Sequence, residues 1–132
     1  MKIFLIAIFL FLVWLIFREK TPPLEPQKYS GKVQYVIDGD TVILSRSKER
    51  LRLWGVDAPE LDQKGGQGAR NALVDMVEGK QITFIKITSD RYGRTVARIF
   101  LKEQDINLAI IESGHAQEYC RYSKGFYGYY KK

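Results

Sequence analysis

Three short segments carry side chains whose chemistry suits hydrolysis of a phosphodiester. They are Asp38-Gly39-Asp40-Thr41, then Arg52-Leu53-Trp54-Gly55-Val56-Asp57-Ala58-Pro59-Glu60, then Asp90-Arg91-Tyr92-Gly93-Arg94. Cutting that bond in water means bringing hydroxide to an anion and then holding extra charge on a five-coordinate phosphorus. Asp40 and Asp57 offer hard oxygen ligands to a divalent cation of the calcium type, which takes about six to eight oxygens at about 2.3–2.6 Å. Glu60 is a carboxylate available as a base. Arg52 and Arg94 supply planar guanidinium forks, each able to make two charge-assisted bonds to phosphate and charged at any working pH.

Other residues have plainer readings. Asp38 is also the residue that shapes an Asx turn, and Asp-Gly-Asp by itself occurs in many hairpins. Pro59 fixes its own φ and biases Ala58 to extended geometry, which stiffens the loop between Asp57 and Glu60. A surface Glu60–Arg52 ion pair is the bland alternative for those two, and such pairs are worth only about 0–1 kcal/mol. His115 is the only histidine and Cys120 the only cysteine. One histidine has no partner with which to hold a metal, and one cysteine excludes an intrachain disulfide, so both are expected to be bystanders to the chemistry.

These residues must be positioned by the elements between them. Lys32–Ile37 and Thr41–Ser45 are β-rich runs joined by Asp38-Gly39-Asp40, which predicts a hairpin or tight bend. In Arg50-Leu51-Arg52-Leu53-Trp54, alternation puts Leu51 and Leu53 on one face and Arg52 out of the core. Lys80–Thr88 and Thr95–Leu101 complete five strands, and the change of apolar phase at Phe84-Ile85 suggests a bulge. Ala69, Ala72, Leu73, Met76 and Val77 form a helical apolar stripe ended by Gly79. A shorter helix follows around Ile106–Ile111, with Asp105 at its start and Gly114 past its end. This order, three strands, a helix, two strands and a helix, predicts an α+β, mainly β fold: an OB-fold five-stranded barrel with two to three helices.

With 132 residues, the chain has room for one modest core and one site. Its formal charge of +6 favours a polyanionic partner without naming it. The N-terminus is a separate object: Lys2, an unbroken apolar run from Ile3 to Phe17, then Arg18-Glu19-Lys20 and a stretch containing Pro22, Pro23 and Pro26. No small-x-small cleavage site follows the run, so residues 1–20 are expected to be an N-terminal hydrophobic helix acting as an uncleaved signal anchor, with a cleaved, secreted form as the alternative. The run is slightly short for a full span, but Lys2, Arg18 and Lys20 can snorkel and Trp14 can sit near an interface. Residues 21–29 read as a linker and 30–132 as the folded domain.

The three segments, in this order and with strand-like sequence between them, closely resemble the thermonuclease family, calcium-dependent nucleases typified by the staphylococcal enzyme. The resemblance runs from roughly Lys32 to Tyr122. It implies that Asp40 and Asp57 hold Ca2+ together with the main-chain carbonyl of Ala58, where members often carry threonine, and that Asp38 lies near the ion rather than on it. It implies Glu60 as general base, Arg52 and Arg94 on the scissile phosphate, and Arg91 and Tyr92 on the nucleotide's other phosphate. Tyr119 and Tyr122 resemble its base-stacking or phosphate-contacting tyrosines. A monomeric hydrolase follows, acting on DNA, with RNA as a second substrate, and leaving 3′-phosphate ends. Members of the family usually continue into a further amphipathic helix, whereas Ser123–Lys132 has two glycines and no helical stripe. Phe126, Tyr127, Tyr129 and Tyr130 are therefore expected to cover the barrel there or to lie at a membrane interface. The rival readings are a non-catalytic OB-fold module that only binds nucleic acid, and a membrane-surface protein whose basic face binds lipid. Retention of Asp40, Arg52, Asp57, Glu60 and Arg94 argues against both.

Overall fold

The computed structural model describes residues 1–18 and 22–128. Helix α1 is Lys2–Ile16, apolar around its whole circumference and with no buried residue. Its 15 residues span about 22 Å. No helix among the described residues is long and apolar enough to cross a membrane. Glu19 and Lys20, the end of the expected anchor, and Thr21, the start of the expected linker, lie outside the described residues.

The remaining elements run in the order β1 (Tyr29–Asp38), β2 (Thr41–Leu44), β3 (Arg50–Leu53), β4 (Val56–Asp57), α2 (Gly66–Val77), β5 (Gln81–Ser89), β6 (Thr95–Leu101), β7 (Gln104–Asp105), α3 (Ile106–Glu112), β8 (Gln117–Glu118) and α4 (Cys120–Ser123). The main sheet has the order β3-β2-β1-β5-β6-β7. It closes because β3 also pairs parallel with β6, Leu51 opposite Thr95 and Arg52 opposite Val96. The result is the five-stranded mixed barrel of an OB-fold. Closure needs strongly coiled strands, and bulges supply that twist. Strand β1 shifts register against β2 between Val33 and Tyr35 and again between Val36 and Asp38, so that Val33 and Val36 both point inward.

Strand β5 corrects one expectation. Its bulge falls between Lys86 and Thr88, at Ile87, and not at Phe84-Ile85. Phe84 stays in phase and is buried, while Ile87 is turned outward and is 45% exposed.

The barrel is filled by alternate β-strand residues, Val42, Leu51, Leu53, Ile82, Phe84, Ala97 and Ile99 among them, and is covered by the buried stripe Ala69, Leu73 and Val77 of α2. The β1–β2 turn sits directly on this helix. A Cβ on Gly39 would stand 2.6 Å from that of Ala69 and 2.8 Å from that of Ala58, so only glycine allows the approach. Helix α3 starts on Asp105, whose side chain accepts from the Leu108 N–H, the expected cap.

Two polar groups hold the final third of the chain. The buried Asn107 side chain accepts from Ile99 N–H at 3.0 Å and donates to the carbonyls of Trp54 at 2.9 Å and Ala97 at 3.1 Å. Glu118, nearly buried, accepts from the Ser123 hydroxyl at 2.6 Å and the Tyr127 N–H at 2.9 Å. Phe126 and Tyr127 then lean on Trp54, with ring centroids 5.5 and 5.9 Å away, and Tyr127 packs on the core. Tyr129 and Tyr130 lie outside the described residues.

Asn107 pairs with three backbone groups, those of Ile99 and Ala97 in buried bonds, and leaving a buried polar group unpaired costs about 1–3 kcal/mol. Asn107→Ala is expected to lower the unfolding free energy by roughly 3 kcal/mol in urea denaturation. A loss below about 1 kcal/mol would show that the side chain only fills space.

Candidate active site

Closure of β3 on β6 sets the site's position. Segment 52–55 leaves β3 beside the loop that enters β6, and the Tyr119 N–H donates to the Gly55 carbonyl at 2.7 Å, which brings α4 to the same place. The open cleft so formed, about 660 Å³, is lined by Arg52 and Trp54, by Thr88 to Tyr92 with Arg94, and by Tyr119, Arg121 and Tyr122. Six of the residues singled out in the sequence therefore share one cavity: Arg52, Arg91, Tyr92, Arg94, Tyr119 and Tyr122.

Each arginine of the second and third segments is oriented by a defined contact. Arg52 makes its ion pair with Asp40, Nη2 to Oδ2 at 3.4 Å, and its Nη1 donates to the Leu53 carbonyl at 2.6 Å. The alternative partner, Glu60, is not the one it takes. In the second loop, Asp90 accepts from the N–H groups of Tyr92 at 2.9 Å and Arg94 at 3.0 Å, and its other oxygen accepts from Arg94 Nε at 2.6 Å. A tight loop results, with Gly93 at φ 76°. Because the bond uses Nε, the terminal nitrogens of Arg94 stay outside it. Slight burial works against ionisation of Asp90, but the Arg94 and Tyr92 donors outweigh it and hold the carboxyl below its usual range. Arg91 and Arg94 both lie over the Tyr92 ring, at 5.1 and 5.4 Å, and Arg91 donates to its hydroxyl.

Asp40, the partner of Arg52, lies outside the cleft lining and is 7% exposed. Its Oδ1 accepts from the Thr41 hydroxyl at 2.9 Å, and its Oδ2 receives the Ala58 N–H at 3.4 Å. Asp38 Oδ1 accepts from the Asp40 N–H at 3.1 Å, the Asx turn that its position suggested. Burial pushes the Asp40 carboxyl up to about 7; the Arg52 guanidinium opposes this and the neighbouring Asp38 adds to it.

Asp57 and Glu60 are exposed and lie outside the cleft lining, as does Ala58, which is buried. Asp57 is held in β4 opposite Gln117 of β8. The Glu60 main chain is fixed at both ends, its N–H to Gln63 Oε1 at 2.9 Å and its carbonyl to Gln63 N at 2.9 Å. Gly66 presses on it so closely that a Cβ would stand 1.9 Å from the Glu60 carbonyl oxygen. Among the described residues no three His, Cys, Asp or Glu side chains gather as a metal cluster. The donors at hand are two carboxylates, Asp40 and Asp57, with the Ala58 carbonyl next after Asp57 in the chain. An all-oxygen set of this kind suits a hard cation that keeps several waters, and a buried carboxylate with a raised proton affinity is one whose charge a cation would stabilise.

Arg121 is the charged cleft residue that the sequence reading passed over. The available clue for Arg121 was a cation lying between two tyrosines already singled out. His115 is exposed and Cys120 half-buried, its thiol directed at the Glu118 carbonyl.

A closed five-stranded barrel with an arginine- and tyrosine-lined cleft beside a buried carboxylate defines a small OB-fold protein with a basic cleft. The family model described as "Staphylococcal nuclease homologue" matches residues 50–132, and the chain belongs to that family. Among curated proteins it is 35% identical over 100 residues to an "Uncharacterized endonuclease" of Haemophilus influenzae, covering 74% of this chain and 56% of that protein. It is 33% identical over 107 residues to the "Micrococcal nuclease" of Shigella flexneri, covering 73% and 62%. It is 38% identical over 77 residues to a "Staphylococcal-like nuclease" of Arabidopsis thaliana, covering 58% and 24%. The chain thus spans a little over half the length of the two bacterial relatives.

The raised Asp40 affinity for a proton has a defined sign. In the unfolded chain this carboxyl titrates near 3.8, and in the folded chain near 7, so between these values the folded state holds a proton that the unfolded state has lost. Stability of the metal-free chain then falls as pH rises through that window. The melting temperature without metal is expected to decline from pH 5 to pH 8, and Asp40→Asn to flatten the decline. An unchanged slope in the variant would assign the pH dependence to other groups.

Proposed function

We propose that the chain is a metal-dependent nuclease that uses Ca2+ to hydrolyse DNA, and RNA as a second substrate, leaving 3′-phosphate ends. The observation that supports this best is the single cleft uniting Arg52, Arg91, Arg94 and three tyrosines, with Arg52 joined to the buried Asp40. The family and the nuclease names of the relatives point the same way.

In this reading Arg52 and Arg94 clamp the scissile phosphate from two loops. Each offers nitrogens beyond its carboxylate contact, and together they hold the charge that builds as the fifth oxygen approaches phosphorus. Arg91 and Tyr92 take a second phosphate of the same nucleotide, and Tyr119 and Tyr122 offer ring surface to bases without selecting among them. Glu60 accepts the proton of the attacking water as its oxygen bonds to phosphorus, while the bond to the 5′ oxygen breaks. Asp40, Asp57 and the Ala58 carbonyl would hold the cation, which when bound supplies Lewis-acid stabilisation of the phosphate charge. The chain acts as a monomer. Residues 1–20 tether it to a membrane, with α1 in the apolar layer and Lys2 and Arg18 at its borders.

Denatured DNA should be degraded in millimolar calcium and left intact in chelator. Glu60→Gln, Arg52→Ala and Arg94→Ala should each slow turnover by about 100-fold or more, with melting temperature little changed in Glu60→Gln and lowered in Arg52→Ala, which leaves the buried Asp40 without its ion-pair partner. Activity that survives chelation would remove the metal from the mechanism, and near-parental rates in all three variants would favour a module that only binds.

Full-length protein expressed in cells should sediment with membranes, resist alkaline carbonate extraction and retain Met1. A soluble product starting near Lys20 would show instead that the apolar segment is cut away.

A further inference from the structure

Four arginines line the cleft, and three of them are already engaged. Arg52 pairs with Asp40, Arg94 with Asp90, and Arg91 with the Tyr92 hydroxyl. The fourth, Arg121, is exposed, and no hydrogen bond, ion pair or ring contact joins it to any described residue. It is not a loose surface cation. It sits within α4, whose N-cap residue is held by the Tyr119 N–H to Gly55 bond and whose end is held by the buried Ser123–Glu118 bond. Both neighbouring tyrosines face the same cleft, Tyr119 and Tyr122 meeting edge to face with centroids 4.8 Å apart.

We infer that Arg121 binds a backbone phosphate next to the one being cleaved, so that the cleft engages the interior of a polynucleotide and not only a single nucleotide. The inference rests on the nuclease reading. Arg52 and Arg94 come from segments tied by the β3–β6 pairing, and each is oriented by an acid, as a clamp on one phosphate requires. Arg121 comes from the other wall, beside the tyrosine surface. A base resting on Tyr119 or Tyr122 brings its own phosphate with it, and the free guanidinium of Arg121, lining the same cleft, can pair with that phosphate without giving up another partner. An arginine with no internal partner contributes its full charge to a ligand, whereas the clamp arginines share theirs. Its loss should therefore weaken the hold on a long strand and leave the chemical step untouched.

The test compares full-length parental chain with Arg121→Gln and Arg121→Lys on two substrates in calcium: a dinucleotide, which has only the scissile phosphate, and a single-stranded oligonucleotide of about twenty nucleotides. Arg121→Gln should raise KM on the long strand about three- to tenfold with kcat within about twofold, and should match the parent on the dinucleotide. Arg121→Lys should recover most of the loss. Binding of the same labelled oligonucleotide, followed by fluorescence anisotropy across a salt series, should show the log–log slope of the Gln variant reduced by about 0.7, as one lost phosphate contact on a single strand requires. Equal effects on both substrates, a fall in kcat alone, or an unchanged salt slope would overturn the inference and leave Arg121 a solvated charge. If the parent cleaves neither substrate, the nuclease reading fails, and the salt slope still decides Arg121. If the parent does not bind the strand, both fail together.

Discussion

Strand β3 is hydrogen-bonded on both edges, antiparallel to β2 and parallel to β6, and the rest of the site depends on that double pairing. A four-residue strand with Leu51 and Leu53 buried inward must present Arg52 on its other face. Pairing with β6 sets this face beside the loop that carries Arg94, some forty positions later in the chain. The two guanidinium groups are thus brought to one cleft by backbone hydrogen bonds and core packing, with no need for either to find the other. Bulges in β1 and β5 supply the twist that lets so short a sheet close.

Behind that seam lies a carboxylate in an unfavourable place. Asp40 is buried beside Asp38, and Arg52 at 3.4 Å compensates only in part, which is why its proton affinity rises. Burying a charge this way costs stability. The cost has a use if a cation completes the set, because binding then relieves the strain that folding imposed. Arg52 takes part in both relations, as partner of Asp40 and as wall of the cleft, so one side chain joins the buried carboxylate to the basic cavity.

Much of this was legible in the sequence for physical reasons. Alternation of Leu51 and Leu53, the period of Ala69, Leu73 and Val77, and the Asp105 cap each state a geometry locally. Arg52 and Arg94 could be named from their chemistry and order, and Tyr92 and the two tyrosines near the end from the family resemblance, although only the barrel shows that they share a cavity. What failed did so because the deciding contacts are distant in sequence. Ile87 looks like core, and its outward turn depends on how β5 meets β6. The two-residue strands β4 and β8 are too short to leave a pattern, yet their pairing holds Asp57 opposite Gln117. Asn107 resembles any polar helix residue until Trp54 and Ala97 are placed beside it. Arg121 is one arginine in a short tail, and nothing but the cleft distinguishes it.

The central claim is that Arg52 and Arg94 act on one phosphate in one cleft. A double-mutant cycle tests it: single-turnover cleavage of a single-stranded oligonucleotide in saturating calcium by the parent, Arg52→Ala, Arg94→Ala and the double variant. Groups that clamp the same atom act as a unit, so the double variant is predicted to be slower than either single one by no more than about tenfold, far less than the product of the two losses. Losses that multiply in full would mean that the two arginines act independently, and would contradict the shared clamp.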